Sequence, residues 1–147
     1  MVGCEVTHDL ATLMNMRGLV AVNSALEVDL FGQCNLEHAN GRAVSGCGGA
    51  PDFARGARMA PGGLSVVALN AAFSSKGKAA SRILPTLSSN AVASLSRVDV
   101  DVVVTEFGIA HLRGRSVHER AEALIGVAAP EFRDELQAAW NAIAAKL

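Results

Sequence analysis

Three short segments of this chain contain little that water would retain. They are the first half of residues 19–32 (LVAVNSALEVDLFG), residues 64–71 (LSVVALNA) and residues 99–105 (DVDVVVT). Continuous apolar runs of this length are characteristic of strands buried inside a sheet. The composition agrees. Half of the 147 residues are apolar, but much of that half is alanine, and the aromatics are Trp140, five phenylalanines and no tyrosine. A core of Val, Leu, Ile and Ala suits an α/β sandwich of close helix–sheet layers, and the length suits a single domain over 1–147.

The remaining segments predict the elements between these strands. Residues 9–17 (DLATLMNMR) carry Leu10, Leu13, Met14 and Arg17 at helical spacing, with Gly18 as a stop. The second half of 19–32 alternates: Leu26, Val28 and Leu30 fall on one face, Glu27 and Asp29 on the other. Gly32-Gln33 turns the chain into an extended segment near 34–38. Residues 39–50 (ANGRAVSGCGGA) are a glycine-dense loop that leads into one or two helical turns at 53–58. Residues 74–79 read as a polar hairpin connection and 80–84 as a further strand closed by Pro85. Glu106-Phe107-Gly108 is expected to end the strand at 99–105. Ser116 with Glu119 forms an S-x-x-E capping box opening a helix to about Ala129. Pro130 starts a last helix with Phe132, Leu136, Trp140 and Ile143 on one stripe.

The formal net charge is −1, so no basic excess points to nucleic acid or to an anionic membrane surface. Cys4, Cys34 and Cys47 are odd in number, widely spaced and lack a C-x-x-C pair, which argues against a disulfide framework or a zinc knuckle. Reduced thiols in a cytoplasmic protein are the simplest reading. No apolar run reaches the ~18 residues of a membrane span, and the start, Met1-Val2-Gly3-Cys4-Glu5, lacks the basic-then-apolar pattern of a signal peptide.

Several residues could carry chemistry. In Ser45-Gly46-Cys47-Gly48-Gly49, backbone N–H groups can converge on an anion with no side chain in the way, as a phosphate cradle or an oxyanion hole. An ordinary tight turn is the competing reading. Thr105-Glu106 lies where polar groups at strand ends line ligand crevices, or it simply closes the strand with a solvated carboxylate. Glu27 and Asp29 could be an acid–base pair, or a polar sheet face paired with arginines. His111 and His118 lack further ligands nearby in sequence, as do His8 and His38, so no metal site is expected. Cys47 as a nucleophile would need a base, and no histidine is close to it in sequence.

Taken together, these segments resemble a known family. VNSALEVDLFGQCN at 22–35 is similar to the I-N-S-x-x-E-V-D-L-x-G-Q-x-N stretch of acetyl-CoA hydrolase/transferases, which include 4-hydroxybutyrate and acetate CoA-transferases. SGCGGAPDFARGA at 45–57, KGKAASRILP at 76–85, VVTEFGIAHLRGRSVHERAEALI at 103–125 and APEFRDEL at 129–136 each resemble further stretches of that family, in order and at family spacing. The resemblance implies an α/β fold with an open, mostly parallel sheet and flanking helices, here the carboxy-terminal domain. It implies transfer of CoA between an acyl-CoA and a small, acetate-like carboxylate through a glutamyl–CoA thioester, with coenzyme A as substrate and no bound cofactor; water as acceptor would make the enzyme a hydrolase. By the same resemblance Gly48 and Gly49 supply oxyanion-binding amides. Glu106 has a positioning role in the same pocket, and Ser45, Gly46, Cys47, Asn23 and His8 contact substrate or CoA.

The sequence departs from the family pattern in three places. No H-[ST]-E-x-x-[ST]-D-G segment, which holds the family's nucleophilic glutamate, precedes the 22–35 stretch. The family's usual N-D-P turn reads His8-Asp9-Leu10 here, and Ala50 stands where many relatives have glutamine. The expected partner is therefore the missing amino-terminal half or another subunit, and an uncovered apolar sheet is expected to drive homo-oligomers. The alternatives are a non-catalytic fragment or CoA- or partner-binding module, and, further off, an unrelated nucleotide-binding domain.

Overall fold

The structure, a computed structural model, describes residues 2–75 and 77–147. Two short helices, α1 (Cys4–Thr7) and α2 (Leu10–Met14), lead into strand β1 (Val20–Ser24). An excursion of short strands follows: β2 (Glu27–Asp29), β3 (Cys34–Asn35), β4 (His38–Ala39) and β5 (Arg42–Ala43). Helix α3 (Ala50–Met59) then returns the chain to β6 (Leu64–Ala68). A second excursion contains β7 (Ala72–Ser75), β8 (Lys78–Ser81) and β9 (Ile83–Leu84). β10 (Val102–Thr105), β11 (Gly108–His111), α4 (Val117–Gly126), a 3-10 turn (Pro130–Phe132) and α5 (Arg133–Ala144) complete the chain.

The main sheet has the order β1-β6-β10-β11. The first three strands are parallel, with Val22 beside Val66 and Val66 beside Val102, and β11 closes the edge antiparallel to β10. Helices α3 and α4 both pack on one face. The core there joins Ala54 of α3 and Ala121 and Leu124 of α4 to Val67, Val103 and Ala110 of the sheet, and Trp140 of α5 closes it. The small residues let helix and sheet approach closely. A side chain at Gly63 would strike the Ala57 and Leu19 carbonyls, so glycine there allows α3 to turn tightly into β6.

The three apolar runs are strands, as expected, but β1 is not buried on both faces. Ala21 is covered by α3, whereas Val20 and Val22 are 54% and 65% exposed. β1 is an edge strand, and only one of its faces meets a helix. The strand ends at Thr105, as expected, but the sheet continues beyond residues 106–108. They form the turn into β11, which the chain enters through Gly108 at a φ of 144°. The helix expected at 53–58 starts earlier, at Ala50, because Pro51 sits in its first turn, where a missing N–H costs nothing. The loop 39–50 contains the small β4–β5 hairpin, turned through Asn40 and Gly41 at positive φ. The hairpin read at 74–79 is β7–β8; its Lys76 lies outside the described residues.

The capping box is present as read: Ser116 Oγ accepts from the Glu119 amide, and the Glu119 carboxylate accepts from the Ser116 amide. The strongest polar tie was not legible in the run DVDVVVT. Asp101 is fully buried and accepts from Arg113 Nε and Nη2, both at 2.8 Å, from Arg58 Nε at 3.2 Å and from the Ser65 amide at 3.0 Å. Its backbone carbonyl also accepts from the Leu112 amide. One carboxylate thus joins α3, β6, β10 and the segment after β11. Asp99 makes a similar, more exposed pair with Arg55.

Removing one member of a buried charge cluster strands the others. Asp101→Ala is expected to lower unfolding stability by about 3–5 kcal/mol. Urea denaturation measures this, and a loss under 1 kcal/mol would show that the cluster does not hold the layers together.

Candidate functional site

The glycine loop meets α3 as the sequence implies: Gly49 is the N-cap residue, and its carbonyl accepts the Phe53 amide. Gly48 has a φ of 55°, a region that L side chains rarely adopt. Among the described residues, the Gly48 and Gly49 amides donate to no carbonyl or side chain, whereas the Ala50 amide is spent on the Cys47 carbonyl. Two donors at the positive end of a ten-residue helix are thus left for something outside the fold.

A chain of small-residue contacts places His8 over these amides. Gly56 of α3 has no side chain, so Leu13 of α2 sits directly on it; an added Cβ would lie 2.5 Å from Leu13 Cβ. Asp9 caps α2, accepting from the Thr12 amide and hydroxyl, and these bonds hold its carboxyl below its ordinary value. With α2 fixed, the His8 ring rests against Gly49 and meets Phe53 edge-on, with centroids 5.1 Å apart. His8 Nδ1 shares a 2.8 Å hydrogen bond with Thr7 Oγ1. A side chain on Gly49 would collide with His8 Nε2, so the glycine is required by the neighbour as well as by the turn.

The resulting open cavity, about 490 Å³, is lined by Cys4, Glu5, His8, Asp9, Gly48, Gly49 and Asp52. Gly48, Gly49 and His8, expected to work together, are together. Ser45, Gly46 and Cys47, also expected to contact substrate or CoA, are exposed and do not line it. Sequence spacing alone did not link His8 to this loop; the family resemblance named it. The acidic rim of Glu5, Asp9 and Asp52 also went unread, because three isolated carboxylates carry no spacing signal.

Glu106 was expected in the same pocket and does not line it. It ends β10, two strands away from β1, and its Oε2 accepts from the Ala71 amide at 2.8 Å. That bond ties the carboxyl end of β10 to the segment after β6. Thr105 is similarly occupied, donating to the Val127 carbonyl and accepting from the Phe107 amide. Asn23 lies at the carboxyl end of β1, on the face that α3 covers. Its Nδ2 is buried without a hydrogen-bond partner. Because α3 runs back along the sheet to deliver the chain to Gly63, its first turn lies at this same end.

The acid–base pair imagined at Glu27 and Asp29 is absent, and so is its pairing with arginines. Glu27 accepts from the Ser88 amide and hydroxyl. Asp29 is buried and accepts from the Phe31 and Gln33 amides and from Gln33 Nε2. Burial pushes its carboxyl up, and the Gln33 bonds oppose that rise. Both carboxylates are thus committed to turns. Among the described residues, no group of three or more His, Cys, Asp or Glu side chains could hold a metal.

A mostly parallel sheet with helices packed on it defines an open α/β domain, a class whose ligand crevices lie at the carboxyl ends of the strands. The comparisons with known proteins give this class its family. Residues 1–140 match the family model "Acetyl-CoA hydrolase/transferase C-terminal domain", and the chain belongs to that family. It is 41% identical over 131 residues to a butyryl-CoA:acetate CoA-transferase of Anaerostipes caccae, covering 88% of this chain and 29% of that protein. It is 44% identical over 132 residues to a 4-hydroxybutyrate coenzyme A transferase of Clostridium kluyveri, covering 90% and 30%. The crystal structure of RipA from Yersinia pestis superposes with a TM-score of 0.78 at 36% identity, over 93% of this chain and 29% of RipA. The chain therefore spans about three-tenths of the length of these relatives.

The three thiols differ in access. Cys34 is fully buried in β3, and burial, with the Asp29 charge second, pushes its thiol far up; Cys4 and Cys47 are exposed. Iodoacetamide at pH 8 is expected to modify Cys4 and Cys47 in the native protein and Cys34 only after unfolding, as read by peptide mass spectrometry. Gly56→Ala is expected to push α2 off α3 and cost roughly 1–3 kcal/mol as an overpacking change. It should also raise the Cys47 alkylation rate as His8 leaves the loop; an unchanged rate would disconnect α2 from the site.

Proposed function

We propose that this chain is the carboxy-terminal part of an enzyme that moves CoA between an acyl-CoA and a small, acetate-like carboxylate. The nucleophilic glutamate comes from polypeptide outside the chain. The observation that carries this reading is the pair of unspent amides at Gly48 and Gly49 on the rim of a cavity. A carboxylate attacking a thioester carbonyl forms a tetrahedral oxyanion, and aimed N–H donors lower that barrier.

The glutamate oxygen attacks the acyl thioester and expels CoA thiolate, leaving an acyl–glutamyl anhydride. The thiolate attacks the glutamyl carbonyl and releases the first acid as carboxylate, leaving glutamyl–CoA. A second carboxylate repeats these two steps in reverse, forming the new acyl-CoA and regenerating the glutamate. Water attacking glutamyl–CoA would instead release CoA and glutamate, which is hydrolysis. Attack of the glutamate on the acyl thioester places negative charge on the acyl oxygen, the one that Gly48 and Gly49 are proposed to meet. Asn23 Nδ2, buried at the same end of the sheet and unpartnered among the described residues, is proposed as a further donor. His8 limits the space above Gly49, and Ser45, Gly46 and Cys47 form the approach taken by CoA. Glu106 positions the end of β10 through its bond to the Ala71 amide.

The second reading is a non-catalytic CoA- or partner-binding module, and one observation favours its partner-binding form. The cavity carries Glu5, Asp9 and Asp52 and no lysine or arginine, so nothing in it neutralises the phosphates of CoA. In the transferase reading those phosphates are held by the other part of the enzyme. A cytoplasmic location is proposed on the three free thiols. Among the described residues no helix is long and apolar enough to cross a membrane. Homo-oligomers are proposed from the exposed valines of β1.

The test combines this chain with the part of the Clostridium kluyveri 4-hydroxybutyrate coenzyme A transferase that lies outside the matched segment. Labelled acetate is expected to enter acetyl-CoA only when both are present. Gly48→Ala, which re-aims the amide, is expected to lower kcat about 10²–10³-fold with little change in KM. A stable complex of the two parts that exchanges no label would sink the transferase reading and leave the binding module.

A further inference from the structure

Arginines gather at the amino end of the parallel strands. They are Arg55 and Arg58 of α3, Arg97 ahead of β10, Arg113 and Arg115 after β11, and Arg120 of α4. Two are neutralised where they stand, Arg55 by Asp99 and Arg115 by Glu119. The other four share Asp101. Arg58 and Arg113 pair with it directly, and among the described residues no carboxylate forms an ion pair with Arg97 or Arg120. Four cations around one anion leave a local excess of positive charge in a chain whose formal net charge is −1.

Arg120 shows what the excess lacks. It is only 8% exposed, and its Nε and Nη1 donate to the Arg115 and Arg97 carbonyls at 3.3 and 2.9 Å. Carbonyls satisfy N–H groups without cancelling the charge. Burial pushes the guanidinium below its ordinary value, the Arg58 and Arg97 charges push it further, and Asp101 opposes them. Its Nη2 has no acceptor. The sealed, unpartnered side-chain atoms among the described residues are Asn23 Nδ2, His38 Nδ1 and Ser65 Oγ, so Arg120 Nη2 opens toward solvent. Arg97 is exposed and makes no side-chain hydrogen bond, and Arg58 spends only its Nε, on Asp101. Three guanidiniums close enough to repel one another thus keep unspent donors.

A buried charge is costly unless it is paired, and guanidinium forks match the oxygens of phosphate. A monoanion would leave most of the excess standing, whereas a tetrahedral dianion offers oxygens to several forks at once. Arg58 and Gly49 sit at opposite ends of α3, about 14 Å apart along its axis, so the cluster is not the rim of the glycine-loop cavity.

We propose that Arg58, Arg97 and Arg120 form a binding site for a phosphate dianion, free or as a phosphomonoester. The anion supplies the missing counter-charge and so stabilises the fold from the amino end of the sheet. The inference does not rest on the proposed transferase activity.

The experiment titrates the whole chain with orthophosphate by isothermal titration calorimetry, at an ionic strength held constant with potassium chloride, and follows thermal unfolding in parallel. Saturable one-to-one binding is expected, with a rise in Tm that chloride does not reproduce. Arg97→Gln should keep the native Tm in phosphate-free buffer and weaken binding about 10-fold or more, as the loss of a charge-assisted contact does. Arg97→Lys should recover part of that loss, because the charge returns without the fork. Arg58→Gln serves as a second variant should Arg97→Gln not fold. Arg42→Gln, on the exposed β5 strand of the small hairpin, should bind like the native chain. Glycerol 3-phosphate is titrated separately: weaker binding than orthophosphate assigns the free ion, tighter binding assigns a monoester, and either sustains the site. The proposal is overturned by the absence of saturable binding, by a Tm rise that chloride matches at equal ionic strength, or by native affinity in a folded Arg97→Gln or Arg58→Gln. The arginines would then serve only to tie the layers together.

Discussion

The architecture depends on a single buried carboxylate. Asp101 stands at the entrance of β10 with two guanidinium groups and one amide directed at it, and those partners come from α3, β6 and the segment after β11. In a parallel sheet the strands are not joined by hairpins, so their mutual register has to be set by something other than local turns. Here a charge with several donors and no access to water performs that task. Because Asp101 fixes α3 against β6, it also determines where the first turn of α3 lies, and hence where Gly48 and Gly49 present their amides.

From that anchor the site is assembled through the absence of side chains. Gly63 permits α3 to turn into β6, Gly56 admits Leu13, and Gly49 admits the ring of His8. Each contact places one element where a methyl group would block it. This explains why the glycine loop is informative only in combination. On its own a positive-φ glycine makes a turn; next to a helix start, with the ring of His8 on the neighbouring Gly49 just ahead of the Asp9-capped α2, it leaves donors exposed and unspent.

Much of this was legible in the sequence, and the parts that were not have specific causes. The apolar runs marked β1, β6 and β10, and Ser116 with Glu119 marked the start of α4, because burial and capping are local properties. That Val20 and Val22 lie bare was hidden, since a run reads the same whether one or both of its faces are covered. β11 was missed because Gly108 in its first position looks like punctuation. The role of Asp101 was hidden because its partners lie 12, 36 and 43 residues away in sequence. Gly48, Gly49 and His8, named through the family resemblance, lie together on one cavity, whereas Glu106 lies apart from it, its carboxylate bonded to the Ala71 amide.

The bare face and the unspent amides have one energetic explanation. Fully covering a valine or isoleucine contributes about 1.5–3 kcal/mol, so closing over Val20, Val22 and Ile109 with their half-buried neighbours stands to yield on the order of 10 kcal/mol. Association of two free molecules costs about 4–15 kcal/mol in lost motion alone. A cover supplied as a separate molecule would therefore hold with modest affinity, whereas one joined in the same polypeptide avoids most of that cost by raising its effective concentration. In the proposed reading, the polypeptide that covers these residues also completes the chemistry at the strand ends. Amides at Gly48 and Gly49 with no acceptor of their own are what such a division of labour requires.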